Sequence, residues 1–379
     1  NFEEALSYLS RAYDLYPDNE YIRKNLCNAL LALASEKAKI YACEEAISLI
    51  NKVLKIDKEN FFAYLQGGAC CLNAGKIQEA ISYLETAIKL KPGYLDAHEL
   101  LGEAYYRDGD ILSARVQWEY VLQVDPTRRE LKGKYEKATR EELVQKDFKK
   151  VFSASRHFQL TYPKEISYTT RALVLTNLEQ AYLEIGRKLG GIYPSSPIQV
   201  ILYDTSRFNA VVQLGQTIGG VYDGKIRISV IGRDGSELPK EEIKRRIFHE
   251  YTHVAVFEYM KDRVPWWINE GLAEYFSSEV SPEKKFVVLK AKENEKLLGF
   301  EKLEKVKIPE IFNSEEKVSL VYAQSHLAVS MLWKRYGQGK FLNFLKVIKD
   351  GSSPEEALKQ VYNTDYERLL KDVVDYANR

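Results

Sequence analysis

The chain has 379 residues, of which 55 are basic and 54 acidic, so its formal net charge at pH 7 is +1. Without a basic excess, the sequence lacks the electrostatic signature of a nucleic-acid-binding protein. No apolar run reaches the length of about 18 residues that spans a bilayer. The apolar fraction of 45% and the charged fraction of 29% are typical of a soluble protein, and the length allows two or three domains.

The N-terminus and the cysteines give limited information about location. The chain begins with Asn1 rather than Met and in the middle of a repeat, which predicts a fragment of a longer protein. A signal peptide or membrane anchor would precede this fragment, so a cytoplasmic location and a periplasmic or membrane-attached one both stay open. The cysteines all lie in the N-terminal part, at Cys27, Cys43, Cys70 and Cys71, without CxxC spacing. This pattern favours small buried side chains over disulfides or metal ligands.

A repeat with a period of about 34 residues occupies the N-terminal third of the chain. Alanines recur at this spacing, each followed twelve residues later by a turn residue, in the pairs Ala46 with Lys58, Ala80 with Pro92 and Ala114 with Pro126. Ala5 and Pro17 follow the same rule, but Ala5 precedes Ala46 by more than one period, which predicts about seven extra residues in the first loop. The period, its small residues and its closing Pro resemble the tetratricopeptide (TPR) repeat. The resemblance implies helix pairs stacked into a solenoid, whose groove binds a peptide or a partner protein.

A highly charged stretch separates the repeats from the rest of the chain. From Thr127 to Lys150, runs such as Lys-Gly-Lys-Tyr-Glu-Lys predict a solvated helix or linker. We therefore predict a TPR domain at 1–135, a charged linker helix at 136–151 and a second domain at 152–379.

The second domain begins with strand patterns and continues with helical ones. The predicted elements are a strand from His157 to Tyr162, a helix from Leu173 to Leu189, a strand from Ile198 to Tyr203, a short helix from Phe208 to Leu214 and a strand up to Val230 that follows a hairpin signal at Asp223-Gly224. Pro239, with Glu241 and Glu242 behind it, predicts the start of a helix. After Pro265 the pattern is nearly all helical. Strands followed by helices indicate an α+β domain.

A metal-binding motif lies in the helix that follows Pro239. The segment from His249 to His253 reads HEYTH and matches HExxH. Residues four apart share one face of a helix, so the two histidines can bind one metal ion while Glu250 reaches a water molecule beside it. Downstream, Glu270 is the predicted third ligand, with Glu274 one turn further on. Which of these two carboxylates coordinates stays open, and two ordinary surface histidines are the alternative interpretation.

HEYTH followed by WINEGLAEY resembles the gluzincin branch of zinc metallopeptidases, and the TPR array joined to such a domain resembles bacterial proteins called peptidase MA-like. The resemblance implies an all-α TPR solenoid followed by an α+β zincin-like domain that binds one Zn²⁺. It implies that Glu250 is the general base and that Glu270, following Asn269, is the carboxylate ligand. It also implies that Glu274 orients a metal-binding histidine without itself binding the metal. The metzincin pattern is excluded, because it requires Gly and His where this chain has Val256 and Tyr259.

The resemblance also suggests where an oxyanion is stabilised and where a substrate binds. Tyr322, in a YAQS segment like that of the peptidase MA-like proteins, is the candidate hydrogen-bond donor, with His326 as the alternative. Both residues have an ordinary packing role as the competing interpretation. Gly220, Val221 and Tyr222, with the strand that follows, are candidates for an edge that pairs with an extended peptide. A plain structural hairpin is the alternative for that segment.

Two functions fit these observations. The leading hypothesis is a zinc-dependent peptidase acting on a peptide or protein substrate, with a TPR array that recruits the substrate or a partner protein. The alternative is a binding or assembly factor that retains the metallopeptidase fold without cleaving peptides. Neither hypothesis requires a nucleic acid or a membrane span within this chain.

Overall fold

A computed structural model describes residues 2–216, 223–306 and 314–379. The chain divides into two compact units, Asn1–Lys146 and Asp147–Arg379. The first is a helical repeat and the second combines helices with a small sheet. The prediction of a TPR solenoid followed by an α+β domain is therefore confirmed. None of the helices in the described ranges is long and apolar enough to cross a membrane.

Eight helices make up the described part of the first unit. They are α1 (Phe2–Leu15), α2 (Glu20–Lys39), α3 (Cys43–Ile56), α4 (Phe61–Asn73), α5 (Ile77–Leu90), α6 (Leu95–Asp108), α7 (Ile111–Val124) and α8 (Arg129–Gln145). The prediction of a longer first loop was wrong, because the extra residues lengthen α2, which has 20 residues against 13 in α4. Leu30 and Ala34 are buried in α2 at helical spacing, so the longer helix keeps a continuous apolar face.

Paired small and large residues set the distance between helices of one repeat. A Cβ added to Gly68 would lie 2.4 Å from Cγ of Leu84, and one added to Gly102 would lie 2.3 Å from Nε1 of Trp118. Only a residue without a side chain allows this approach of the two helices. The same pairing recurs one repeat period later, which explains how the sequence encodes the stacking.

The boundary between the units falls at Lys146 and Asp147, inside the segment that the sequence predicted as a linker helix. Leu131 and Ala138 of α8 are buried, and the hydroxyl of Tyr106 donates a 3.0 Å hydrogen bond to the buried carboxylate of Glu141. These contacts make α8 part of the repeat unit.

The second unit contains four strands and nine helices in its described residues. The strands are β1 (Lys149–Phe152), β2 (Phe158–Tyr162), β3 (Ile198–Asp204) and β4 (Lys225–Ile231). The helices are α9 (Tyr168–Lys188), α10 (Thr205–Gln216), α11 (Lys240–Met260), α12 (Trp266–Ser277), α13 (Pro282–Glu293), α14 (Phe300–Leu303), α15 (Glu315–Lys349), α16 (Pro354–Tyr362) and α17 (Tyr366–Ala377). A 3₁₀ turn, Lys261–Arg263, follows α11, and α15 bends at Gly337, where φ is 82°.

The strands form one sheet in the order β1-β2-β3-β4. β1 is antiparallel to β2, whereas β2, β3 and β4 are parallel. Because α9 and α10 connect the parallel strands, β4 is reached through a helix. The predicted hairpin at Asp223-Gly224 needs a strand before the turn. The residues that would form this strand, 217–222, lie outside the described ranges, so the hairpin stays a prediction. β1 was not predicted as a strand, because Lys149 and Lys150 belong to the charged run.

The sheet and two helices share one hydrophobic core that orients α11. Alternate residues of β2, β3 and β4 join residues of α9 and α11 in this core. The side of α11 that faces the core consists of fully buried residues: Ile243, Ile247, Tyr251 and Val254. His249 and Glu250 are both half-buried. By helical periodicity Glu250 lies at the edge of the core-facing side and His249 lies on the opposite side of the helix.

Candidate metal site

Two adjoining helices present the predicted metal ligands. α11 begins after Pro239, and in its first turn Glu242 forms an ion pair with Arg245 at 2.8 Å. An acidic side chain at this end of a helix is favoured by the helix dipole. α11 ends at Met260. The next residue, Lys261, has a φ of 55°, and α12 begins after Pro265. This short connection brings α12 back alongside α11.

Three ligand atoms converge between α11 and α12. Oε2 of Glu270 lies 3.6 Å from Nε2 of His249 and 3.8 Å from Nε2 of His253. Together these residues form a group whose ligand atoms all lie within 4.8 Å of one another. Tetrahedral zinc with bonds of about 2.0–2.2 Å places its ligand atoms about 3.3–3.6 Å apart. The donor set and its spacing therefore fit a zinc ion after a small contraction.

The carboxylate of Glu270 has an unsatisfied atom at the centre of this group. Oε2 is buried and has no hydrogen-bond partner among the described residues, and the side chain is only 2% exposed. A buried carboxylate oxygen without a donor is costly unless a cation compensates it. The environment of this atom therefore favours a bound metal.

The electrostatics around His249 also favour a cation. Burial alone would lower the pKa of this histidine. The polar contact with Glu270, together with the negative charges of Glu250, Glu270 and Glu274, outweighs burial and raises the pKa. Three carboxylates around one imidazole leave an excess of negative charge that a divalent ion would neutralise.

An acceptor oxygen lies near the opposite edge of each histidine ring. Nδ1 of His253 is in hydrogen-bond contact with Oδ1 of Asn269 at 3.1 Å, whereas Nδ1 of His249 lies 3.5 Å from Oε1 of Glu274 without forming a hydrogen bond. An acceptor at Nδ1 favours the proton on that nitrogen and leaves Nε2 free to bind a metal. Glu270 thus faces the Nε2 atoms and Glu274 faces the far side of one ring. Of the two assignments that the sequence left open, this geometry favours Glu270 as the ligand.

A close helix contact brings Tyr322 to the same carboxylate. A Cβ added to Gly271 would lie 2.5 Å from the backbone oxygen of Ser325, so α15 approaches α12 where the latter has no side chain. Tyr322 of α15 packs edge-on against Trp266, with ring centroids 5.4 Å apart. Burial, the nearby carboxylates and a hydrogen bond with Glu270 raise the pKa of Tyr322 far above its usual range. Its hydroxyl therefore stays protonated and remains a donor.

His326 lies one turn further along α15, in a different environment. It is fully buried, and its Nδ1 lies 3.0 Å from Nζ of Lys284 and 3.8 Å from Oε2 of Glu274. Burial, reinforced by the charge of Lys284, lowers the pKa of His326 to about 4, so the ring is neutral at pH 7. These contacts favour Tyr322 over His326 as the donor to a substrate oxygen.

Two groups of predicted residues have different outcomes. Glu250 is half-buried, and no described side chain forms a hydrogen bond or ion pair with its carboxylate. Its charge acts on both His249 and Tyr322, so it belongs to the same cluster.

The candidate substrate residues Gly220, Val221 and Tyr222 lie outside the described residues. Lys284, which forms an ion pair with Glu274, was missed, since it belongs to no sequence motif.

A family model described as the peptidase MA superfamily matches residues 177–377, more than half of the chain. The chain belongs to the peptidase MA superfamily. The matched region contains every residue of the candidate metal site. A second model, described as the tetratricopeptide repeat, matches residues 72–127.

Similar proteins match shorter stretches. Superkiller complex protein 3 of Mus musculus is 33% identical over 104 residues, which is 27% of this chain and 7% of that protein. The chain therefore spans a small fraction of the curated relative it matches. A structure of the first TPR of Spaghetti (RPAP3) bound to an HSP90 peptide is 20% identical, covers 31% of this chain and 93% of that one, and has a TM-score of 0.30. The crystal structure of MamA is 23% identical in sequence and has a TM-score of 0.32; the match covers 37% of this chain and 78% of that one.

Proposed function

We propose that this member of the peptidase MA superfamily is a zinc-dependent peptidase. The observation that carries the proposal is the buried Oε2 of Glu270, which lies without a hydrogen-bond donor between the Nε2 atoms of His249 and His253. Two imidazoles and one carboxylate would hold the ion. When bound, zinc would act as a Lewis acid, lowering the pKa of a water molecule and polarising a carbonyl group.

Glu250 is the proposed general base. It follows His249 directly on α11, so its carboxylate can reach a water molecule close to the ligand cluster. It is not held by another described side chain, which leaves its oxygens free to accept a proton. Glu250 then takes the proton of the attacking water and passes it to the departing amine.

Tyr322 is the proposed donor to the oxyanion. Its raised pKa keeps the hydroxyl protonated next to Glu270, and a protonated hydroxyl can donate to the oxygen that becomes negative during attack on the peptide bond. A preorganised donor of this kind stabilises the charge that develops in the transition state.

The sheet offers a place for an extended substrate. β1 and β4 are the two edge strands of the sheet in the described part of the chain. α11 is tied to β4 by a 3.0 Å hydrogen bond from Nη1 of Arg246 to the backbone oxygen of Ser229. The end of β4 is already paired, because the oxygen of Val230 accepts a 2.9 Å hydrogen bond from the backbone nitrogen of Leu238. We propose that a peptide pairs with the earlier part of the outer edge of β4 and thereby presents its backbone beside α11. The segment 220–222 precedes this strand.

The TPR unit is the proposed site for recruiting a protein. α7 exposes large apolar side chains on one face, at four-residue intervals: Leu112, Val116, Tyr120 and Val124. The corresponding positions of α5, one repeat period earlier, are Gln78, Ser82, Thr86 and Leu90. The third repeat thus has an apolar stripe where the second is mostly polar, and such a stripe favours contact with another polypeptide.

The test is peptide cleavage by the Glu250→Gln variant. We expect kcat to fall by about 10²–10⁴-fold, because general acid–base catalysis contributes this much, while one zinc per chain is retained. Glu241→Gln, an exposed glutamate in the first turn of the same helix, is the matched control and should leave kcat unchanged. Zinc binding without cleavage of any peptide in a diverse library by the wild-type protein would favour the assembly-factor alternative.

A further inference from the structure

A lysine outside the sequence motifs connects the metal site to two further helices. Lys284 of α13 forms an ion pair with Oε2 of Glu274 in α12. Its Nζ also lies 3.0 Å from Nδ1 of His326 in α15. We propose that Lys284 is a positioning residue, which orients Glu274 and through it the metal-binding ring of His249. This inference rests on the metal site proposed above.

The two oxygens of Glu274 have separate roles in this arrangement. Oε1 lies 3.5 Å from Nδ1 of His249, and Oε2 pairs with Lys284. A carboxylate on a freely rotating side chain would sample other orientations. Because the ammonium group holds Oε2, rotation about the last side-chain bond is restricted and Oε1 stays directed at the ring.

The position of Lys284 is itself fixed by the surrounding fold. α13 begins after Ser281, whose hydroxyl accepts a hydrogen bond from the backbone nitrogen of Lys284, and Pro282 occupies the first turn. His326 is fully buried on α15, so the acceptor on the other side of the ammonium group cannot move away. Lys284 is 27% exposed and Glu274 is 10% exposed, which leaves this ion pair only weakly screened by water.

The backbone of Glu274 is held as well. Its carbonyl oxygen accepts a 3.0 Å hydrogen bond from the backbone nitrogen of Ser278 and a 3.2 Å bond from the hydroxyl of Ser277. These two hydrogen bonds fix the backbone of the last turn of α12. Lys284 therefore acts on the side chain of a residue whose backbone is already fixed. Groups that orient metal-binding histidines in this way usually influence metal affinity more than overall stability.

The experiment measures zinc affinity by chelator competition at one fixed pH. We expect Lys284→Met to weaken binding about tenfold, the lower end of the effect of outer contacts on a metal site. Lys284→Arg keeps the charge and should retain most of the affinity. Lys292→Met, an exposed lysine on the same helix, is the matched control and should bind zinc like the wild type.

A double-mutant cycle with Glu274→Gln separates positioning from a general structural role. If Lys284 acts through Glu274, adding Lys284→Met to Glu274→Gln changes zinc affinity by no more than about twofold. Urea denaturation of the zinc-free proteins monitors folding, and Lys284→Gln replaces Lys284→Met if the latter does not fold.

The outcomes distinguish this inference from the metal site itself. The role of Lys284 would be overturned if folded Lys284→Met bound zinc as tightly as the wild type. It would also be overturned if Lys284→Met caused the same tenfold loss of zinc affinity in the wild-type and the Glu274→Gln backgrounds. Either result would leave the metal site standing. A wild-type protein that binds no zinc would overturn both.

Discussion

The two units of the chain place polar side chains in opposite ways. In the described part of the repeat unit, Glu141 is the only buried charged or polar side chain, and Tyr106 donates a hydrogen bond to it. In the second unit, α11, α12 and α15 bury a group of such residues close together, including His253, Asn269, Glu270, Glu274 and His326. Burying these groups is unfavourable without compensation. The difference fits a packing role for the buried residues of the repeat and the proposed binding of an ion by the second unit.

Both units also use glycine to bring helices together, with different consequences. Gly102 makes room for the indole of Trp118 within one repeat. Gly271 makes room for the backbone of α15 at Ser325, directly beside Glu270. The same close approach sets helix spacing in one unit and brings α15 next to the proposed metal site in the other.

The largest catalytic effect after loss of the base is expected at Tyr322. Tyr322→Phe removes one hydroxyl, and we predict a decrease in kcat of about 10²–10³-fold, as for the loss of an oxyanion donor. Zinc affinity should change little, because the hydroxyl is not a proposed ligand. Steady-state peptide cleavage and chelator competition measure the two quantities. Unchanged kcat in Tyr322→Phe would mean that Tyr322 is not the donor to the oxyanion.

Two glycine substitutions test whether close packing serves stability alone or also the site. Gly102→Ala and Gly271→Ala should each lower the free energy of unfolding by about 1–3 kcal/mol, because the added methyl group overpacks the contact. Only Gly271→Ala should also weaken zinc binding, since α12 must move away from α15. Urea denaturation and zinc titration check this prediction.

Gly133 provides the control for the glycine comparison. A Cβ added there, in α8, would meet no atom within 4 Å. Gly133→Ala should therefore leave stability unchanged or raise it by up to about 1 kcal/mol through helix propensity. Equal zinc affinities for Gly271→Ala and Gly102→Ala would contradict the proposed link between this packing and the site.

A smaller effect is expected from the apolar stripe of α7. Val116→Glu should raise KM severalfold for an unfolded protein substrate such as casein and leave kcat/KM for a short peptide unchanged, because a charge opposes apolar contact. Ser82→Glu, at the matching position of α5, is the control. An equal rise in KM for both substrates would argue against recruitment by this surface.

Local pattern was sufficient for the features that depend on neighbouring residues in sequence. The repeat period predicted the helix pairs, and the structure adds the contact between Gly102 and Trp118, which repeats that of Gly68 and Leu84 one period later. The spacing of His249 and His253 on one helix predicted their convergence. These features depend on helical periodicity, which a single sequence carries directly.

The remaining features depend on contacts that sequence spacing does not encode. The distinction between Glu270 and Glu274 arises from how α12 lies against α11. Lys284 reaches the site only because α13 packs beside α15. β1 was missed because an exposed edge strand with two lysines has no alternating apolar pattern. Tertiary packing decided each of these outcomes.

The most direct test of the account is zinc binding by the paired variants Glu270→Gln and Glu274→Gln. Metal analysis and chelator competition should find one zinc per wild-type chain. We predict a loss of affinity well beyond about 100-fold for Glu270→Gln, which removes a ligand, and a loss of about 10–100-fold for Glu274→Gln, which removes an outer contact. A wild-type chain without zinc, or Glu270→Gln binding zinc as tightly as the wild type, would contradict the proposed site.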